Sequence, residues 1–171
     1  MQPHAREIKI GQMIFKVEAA RTAIHDLPRR PFSGFTLSSG TPIVVRIPKS
    51  RLQDYGISTK HSYPYVYWRK EHTPTAFIKQ LKENLVKKYN EYYNTDLELL
   101  QIIDQFQFRK QVAIPLEIKG EETIIVGTLW DFHFTASDDS RRNILQFGLD
   151  AGFGEMNSLG FGFMNLRTPS T

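Results

Sequence analysis

Two Gly-Phe-Gly triplets stand near the C-terminus, Gly152-Phe153-Gly154 and Gly160-Phe161-Gly162, separated by five residues that include Glu155, Asn157 and Ser158. Glycine enters positive-φ conformations freely and lets a partner approach the backbone, because no Cβ stands in the way. A loop of this kind can present amide N–H groups to phosphate oxygens and hold an anion without a charged side chain. The same residues would also serve a tight helix-to-strand connection anchored by its phenylalanines. Two nucleotide-binding loops are excluded. A dinucleotide fingerprint follows an early strand and opens a helix, whereas this pattern follows a helical stretch and precedes the last strand. A P-loop needs Gly-Lys-Ser or Gly-Lys-Thr, and the 171 residues contain neither.

Proton transfer near neutral pH is the work of histidine, whose pKa lies there. The chain has five. His25, beside Asp26 and close to Arg29 and Arg30 in a connecting segment, is the best local candidate. His133, on the polar side of a strand, ranks second, while His4, His61 and His72 read as surface residues. With no cysteine there is no disulfide, thiolate nucleophile or Cys-based zinc site, and no close-spaced histidine pair supplies a metal site in its place; no cofactor is expected.

Lys+Arg 22 against Asp+Glu 18 gives a net charge of +4, compatible with a polyanionic partner without specifying one. Basic clusters occur at Arg29-Arg30, Lys49 to Arg51, Arg69-Lys70, Lys87-Lys88, Arg109-Lys110 and Arg141-Arg142, and they line a groove only if the fold gathers them. No apolar run approaches the roughly 18 residues of a membrane helix, and no signal-peptide core opens the chain, so the protein is expected in the cytoplasm with no membrane partner.

The elements that must position these groups follow from periodicity. Residues 8–17 read as a hairpin turning at Gly11-Gln12, and residues 19–30 as a mobile connection. Strand character returns over 35–47, broken by Pro42 before the apolar run Ile43-Val44-Val45, which predicts a central strand. Residues 48–59 read as loop. Residues 63–68 alternate, with three tyrosines on one face and Pro64, Val66 and Trp68 on the other; a half-buried strand is preferred over a base-stacking platform. Thr73-Pro74 starts a helix whose stripe Phe77, Leu81, Leu85, Tyr89 runs to about Tyr93, with Lys79, Lys82, Lys87 and Lys88 expected on its exposed side. A short helix is expected over 97–103, then a long strand over 106–118 bulged near Lys110. Its partner over 123–136 puts Trp130, Phe132 and Phe134 on one face and Asp131 and His133 on the other, with Gly127 marking a bulge or a close backbone approach. A second helix through Ile144, Leu145, Phe147 and Leu149 leads to the glycine loop, and Phe161, Phe163 and Leu166 mark the final strand. From Phe35 on, the order is βαββαβ, which predicts an α+β, ferredoxin-like (RRM-like) antiparallel sheet with two helices on one face.

The doubled glycine pattern close to the C-terminus resembles the glycine-rich signature of the CRISPR-associated Cas-six family, within the larger RAMP superfamily. Residues 41–45, Thr-Pro-Ile-Val-Val, are similar to the family's "SPIVV" segment, and Asn84-Leu85 with Lys88-Tyr89 to its "NL..KY" helix. The resemblance runs over roughly residues 8–166. It implies a CRISPR RNA-processing endoribonuclease that cuts precursor repeat RNA without a metal, or its RNA-gripping C-terminal portion. In such cleavage a base activates the 2′-OH, an acid protonates the 5′-oxygen and cations stabilise the phosphorane. The implied partner is CRISPR repeat RNA, with other CRISPR effector subunits as a second class of partner. The implied RNA contacts are Gly152, Phe153, Gly154, Glu155, Asn157, Ser158, Gly160, Phe161 and Gly162, together with Arg29 and Arg30.

Members of that family commonly carry two ferredoxin-like domains, with the cleavage histidine in the first. The resemblance reaches only the second, so residues 1–32 are read as a hairpin remnant and connection and residues 33–171 as the RNA-binding domain. The alternative reading is a non-catalytic RNA-binding subunit that retains guide RNA in a ribonucleoprotein.

Overall fold

The computed structural model describes residues 6–10, 13–17, 26–27, 34–60, 62–98, 101–118, 120–135 and 138–167, the first two stretches by backbone path. Strands β1 (Arg6–Ile10) and β2 (Met13–Val17) form a separate two-stranded antiparallel sheet, as the alternation around Gly11-Gln12 predicts. His4, His25, Arg29, Arg30 and His61 lie outside the described residues.

The principal sheet takes β3 (Phe35–Ser39), β6 (Gln105–Ile118), β7 (Glu121–Phe134) and β8 (Met164–Arg167) in the order β6-β7-β3-β8, all antiparallel. The first and last strands of the βαββαβ order therefore lie side by side, the expected ferredoxin-like arrangement. Between β3 and the first helix the chain inserts a small hairpin, β4 (Arg46–Pro48) on β5 (Tyr65–Tyr67), joined through two short 3₁₀ turns.

Helix α1 (Pro74–Tyr93) begins as its sequence predicts, with Thr73 extended and Pro74 at the first position, where its missing N–H costs nothing. It stops at Asn94, whose left-handed backbone (φ 51°) closes the last turn. Helix α2 (Asp139–Ala151) is capped by the Asp138 carboxylate, which accepts from the Arg141 N–H at 2.7 Å. Phe77, Leu81 and Leu85 of α1 and Ile144 and Leu145 of α2 are buried in one core with Leu37, Trp130 and Phe132 of the sheet. The Phe77 ring stacks on Trp130 at 4.4 Å. Each such side chain taken from water contributes about 1.5–3 kcal/mol, which makes this layer the main source of cohesion.

The other sheet face is polar. Register places Gln105, His133, Thr36 and Arg167 in one row across the four strands, and Gln107, Asp131, Ser38 and Asn165 in the next. The alternation of β7 holds as predicted, and the register shift in β6 falls between Phe108 and Lys110. Gly127 permits a close approach: a Cβ there would stand 2.7 Å from the Pro42 Cβ.

The final strand begins at Met164, after Phe161 and Phe163, which were expected within it, and two further expectations fail. Residues 43–45 are not a central strand: Ile43 bridges Thr128 on β7 while Val44 bridges Glu155 in the glycine loop, so consecutive residues serve two different partners. The run is apolar because it is buried between them. Nor do residues 97–103 form a helix where they are described. Asn90 ties the Leu97 N–H and C=O with its own amide, and Ile102 and Ile103 plug the core from irregular backbone.

Candidate nucleic-acid interface

The glycine loop is a closed knot of main-chain bonds. Helix α2 ends at Gly152 (φ 87°), and the Phe153 N–H donates to the Gly162 C=O at 2.9 Å, joining the two triplets. The loop is tied to residues 42–44 by Gly162 N–H to Pro42 C=O and Glu155 N–H to Val44 C=O, each 2.9 Å. Inside it, Asn157 Nδ2 donates to the carbonyls of Phe153 (3.2 Å) and Phe161 (2.9 Å). Lys88 reaches in from α1, its ammonium donating to the carbonyls of Gly152 (2.7 Å) and Gly154 (3.1 Å) and to Asn157 Oδ1 (3.0 Å).

This geometry accounts for most of the glycines. A Cβ on Gly162 would lie 1.9 Å from the Phe153 carbonyl oxygen, one on Gly154 2.5 Å from the Val44 carbonyl oxygen, and one on Gly152 2.5 Å from Asn157 Nδ2. The close approach expected from a ligand is made at these positions by the protein's own chain. Gly160 differs: φ is 86° and nothing stands within 4 Å of its Cβ position. It forms an exposed tip with Ser158 and Leu159. Phe153 and Phe161, expected among the RNA contacts, have buried side chains. Phe153 is fully buried and stacks near Phe132, and Phe161 packs with Val44 and Ile125 beneath the β6–β7 hairpin.

Glu155 faces the β4–β5 hairpin. One carboxylate oxygen accepts from the Arg46 N–H at 2.9 Å and the other pairs with the Arg46 guanidinium, which lies 4.7 Å from the centre of the Tyr65 ring. Burial works against the Arg46 charge, and the Glu155 hydrogen bond and charge outweigh it, leaving the guanidinium pKa raised. Burial pushes the Lys88 ammonium down to about 8, with the Glu155 charge opposing. The Arg46–Glu155 pair and Lys88 thus hold the loop frame, while residues 158–160 face solvent.

Lys88 is the residue that sequence reasoning misplaced, as one of four solvated lysines. A signal was present, since Lys88 follows Leu81 by seven residues and Leu85 by three, on the buried stripe. Of the basic clusters, Arg51 and Lys87 come to the same region, beside the cavity walled by β4, β5, α1 and the loop. Others are committed elsewhere: Arg141 to the Ile102 carbonyl and Asp104, Arg109 to Asp131. His133 shares a 2.9 Å hydrogen bond with the Thr36 hydroxyl on the polar sheet face, and the His72 ring accepts from the Arg69 N–H at 3.2 Å, its pKa lowered by burial. Among the described residues no three His, Cys, Asp or Glu side chains converge as a metal site would require. No helix among them is long and apolar enough to cross a membrane.

Residues 28–166 match the family model for CRISPR associated protein Cas6, C-terminal.

The chain belongs to the Cas6 C-terminal family.

It is 30% identical over 168 residues to a CRISPR-associated endoribonuclease Cas6 of Haloferax mediterranei, a match covering 94% of this chain and 61% of that protein. It is 34% identical over 100 residues to a second Cas6 endoribonuclease, of Methanocaldococcus jannaschii, covering 52% of this chain and 40% of that one. The chain thus spans about three fifths or less of the Cas6 relatives it matches. In three dimensions it follows a CRISPR associated protein Cas6 with a TM-score of 0.58 at 22% identity, over 96% of this chain and 58% of the other. It also follows a RAMP protein that binds different RNA substrates, with a TM-score of 0.54 at 21% identity, over 94% and 58%. These likenesses establish the shared fold of the Cas6 and RAMP chains.

Proposed function

We propose that this chain grips CRISPR repeat RNA as the C-terminal part of a metal-independent repeat-RNA endoribonuclease. The observation that carries the reading is the glycine loop: its frame is spent on internal bonds, residues 158–160 are exposed at its tip, and Gly154 and Glu155 at its start line a cleft with Arg46, Arg51 and Lys87. A rigid frame fixes where the tip sits, and a fixed tip meets a polyanion with little ordering cost. In this reading RNA runs over Ser158 and Gly160, while Gly152, Phe153, Gly154, Asn157, Phe161 and Gly162 act by holding the tip in place. Glu155 holds Arg46 in place, and Arg29 and Arg30 are proposed as further RNA contacts.

Strand cleavage of this class transfers a proton from the 2′-OH and returns one to the 5′-oxygen, leaving a 2′,3′-cyclic phosphate. His25 is the residue proposed to carry a proton, with Asp26 beside it. Residues 1–32 would form the hairpin and connection to that chemistry, and 33–171 the RNA-holding domain; other effector subunits are proposed partners.

The test incubates the chain with labelled repeat RNA in EDTA. Cleavage to a 2′,3′-cyclic phosphate that disappears in His25→Ala supports the whole reading. Salt-dependent binding without cleavage leaves a subunit that retains RNA, and absence of binding removes the reading.

A further inference from the structure

The cavity between the β4–β5 hairpin, α1 and the glycine loop has a volume of about 530 Å³. That size lies in the range of about 300–1,000 Å³ usual for sites that take a small organic group. Its walls are chemically unequal. On one side the Arg46 guanidinium covers the Tyr65 ring at 4.7 Å, a flat cationic and aromatic pair held in place by Glu155. On the α1 side the Asn84 Oδ1 is buried and has no hydrogen-bond partner among the described residues. At the rim the Lys87 side chain is 75% exposed, its ammonium 3.7 Å from Glu91, itself 66% exposed. Arg51 is already paired with Glu83.

The unbonded Asn84 acceptor lies beneath the cavity wall, and turning the amide over presents it to a donor in the cavity. A guanidinium plane beside a tyrosine calls for a flat π-system, and a solvated ammonium at the mouth suits an anion. An unpaired nucleotide carries all three features. Glu83 and Glu155 do not repel its phosphate, since each is neutralised by its arginine. Gly154 and Glu155 belong both to the cavity wall and to the glycine loop, so RNA held by the loop can place one of its bases here.

We infer that this cavity takes one extruded nucleotide of single-stranded RNA, its base against the Arg46–Tyr65 pair, a base N–H donating to the Asn84 amide oxygen once that amide turns to the cavity, and its phosphate at Lys87. The inference rests on the RNA-binding reading above and adds a subsite to it.

The test uses the whole chain and a labelled single-stranded RNA of mixed sequence in which one base at a time is replaced by an abasic ribose, with affinity read by fluorescence anisotropy. Base removal at one position should weaken wild-type binding about tenfold, as loss of one stacked base does. Asn84→Leu should lose a comparable factor on intact RNA and become indifferent to that same abasic position. Should Asn84→Leu unfold, Tyr65→Ala is read in its place. Lys87→Gln, a change on the exposed side of α1, should weaken every RNA alike and flatten the salt dependence. RNA bound with the same affinity whichever base is removed, in wild type and variant, overturns the subsite and leaves the RNA reading standing. Absence of RNA binding removes the RNA reading first. A nucleoside 5′-monophosphate that binds wild type but not Asn84→Leu, with no sensitive position in RNA, would make this a site for a free nucleotide and overturn the proposal.

Discussion

Lys88 Nζ donates to Asn157 Oδ1 at 3.0 Å, and the other end of the same amide donates to the Phe153 and Phe161 carbonyls. One ammonium on α1 therefore sets the orientation of the amide that closes the glycine loop, besides serving Gly152 and Gly154 directly. Lys88→Met should leave three acceptors without this donor and destabilise the chain by about 1–3 kcal/mol. Asn157→Ala should cost a similar amount, and the double variant less than the sum, because the two belong to one network. Urea denaturation of the four proteins checks this; strict additivity would mean the residues act independently.

The same lysine predicts an unusual pH response. Its native pKa is lowered to about 8, whereas in the unfolded chain it returns to the ordinary lysine value of about 10.4. Between those values the unfolded state binds more protons than the native one, so stability at this position rises with pH across the window, and the penalty on the native charge is fully present below it. Denaturation midpoints of wild type and Lys88→Met from pH 7 to 10 should diverge in favour of wild type as pH increases. A gap that stays constant would contradict the assignment.

Two glycines of one loop should behave oppositely. At Gly162 an added methyl meets the Phe153 carbonyl oxygen at 1.9 Å, so Gly162→Ala should break the bond that joins the triplets and unfold the loop. At Gly160 the space is open, and alanine meets only the left-handed backbone penalty of about 1–2 kcal/mol. Thermal melts separate them, and only the Gly160 variant should keep a folded frame in which RNA affinity can be compared.

Phe153→Ala should remove a fully buried ring from beside Phe132 and cost about 3–5 kcal/mol. In a chain of this size the thermal midpoint should fall by roughly 2–4 °C for each kcal/mol. A loss under about 1 kcal/mol would show that the ring can be replaced by collapse of its surroundings.

What the sequence made legible was whatever is decided within a few residues. The stripe of Phe77, Leu81 and Leu85, the Thr73-Pro74 start, the alternation of Trp130, Asp131, Phe132 and His133, and the bulge near Lys110 are all local patterns, and each appears in the fold. The errors arise where a distant segment decides. Ile43 and Val44 read as strand because burial and strand share an apolar run, and only the positions of Thr128 and Glu155 show that the ladder is broken between them. The glycines were legible as sites of close approach, but nothing within the motif says that Pro42, Val44 and Asn157 are what approaches. Lys88 was misread because four lysines on one helix look alike until the carbonyls they face are known.

The bridges from residues 42–46 to the loop also bear on the protein's synthesis. Arg46 and Glu155 are 109 residues apart, and β8, the partner of β3, follows the loop in the chain. Until residues 152–162 have left the ribosome the loop cannot be bridged to residues 42–46, so the grip on RNA should arise only after that late segment is made.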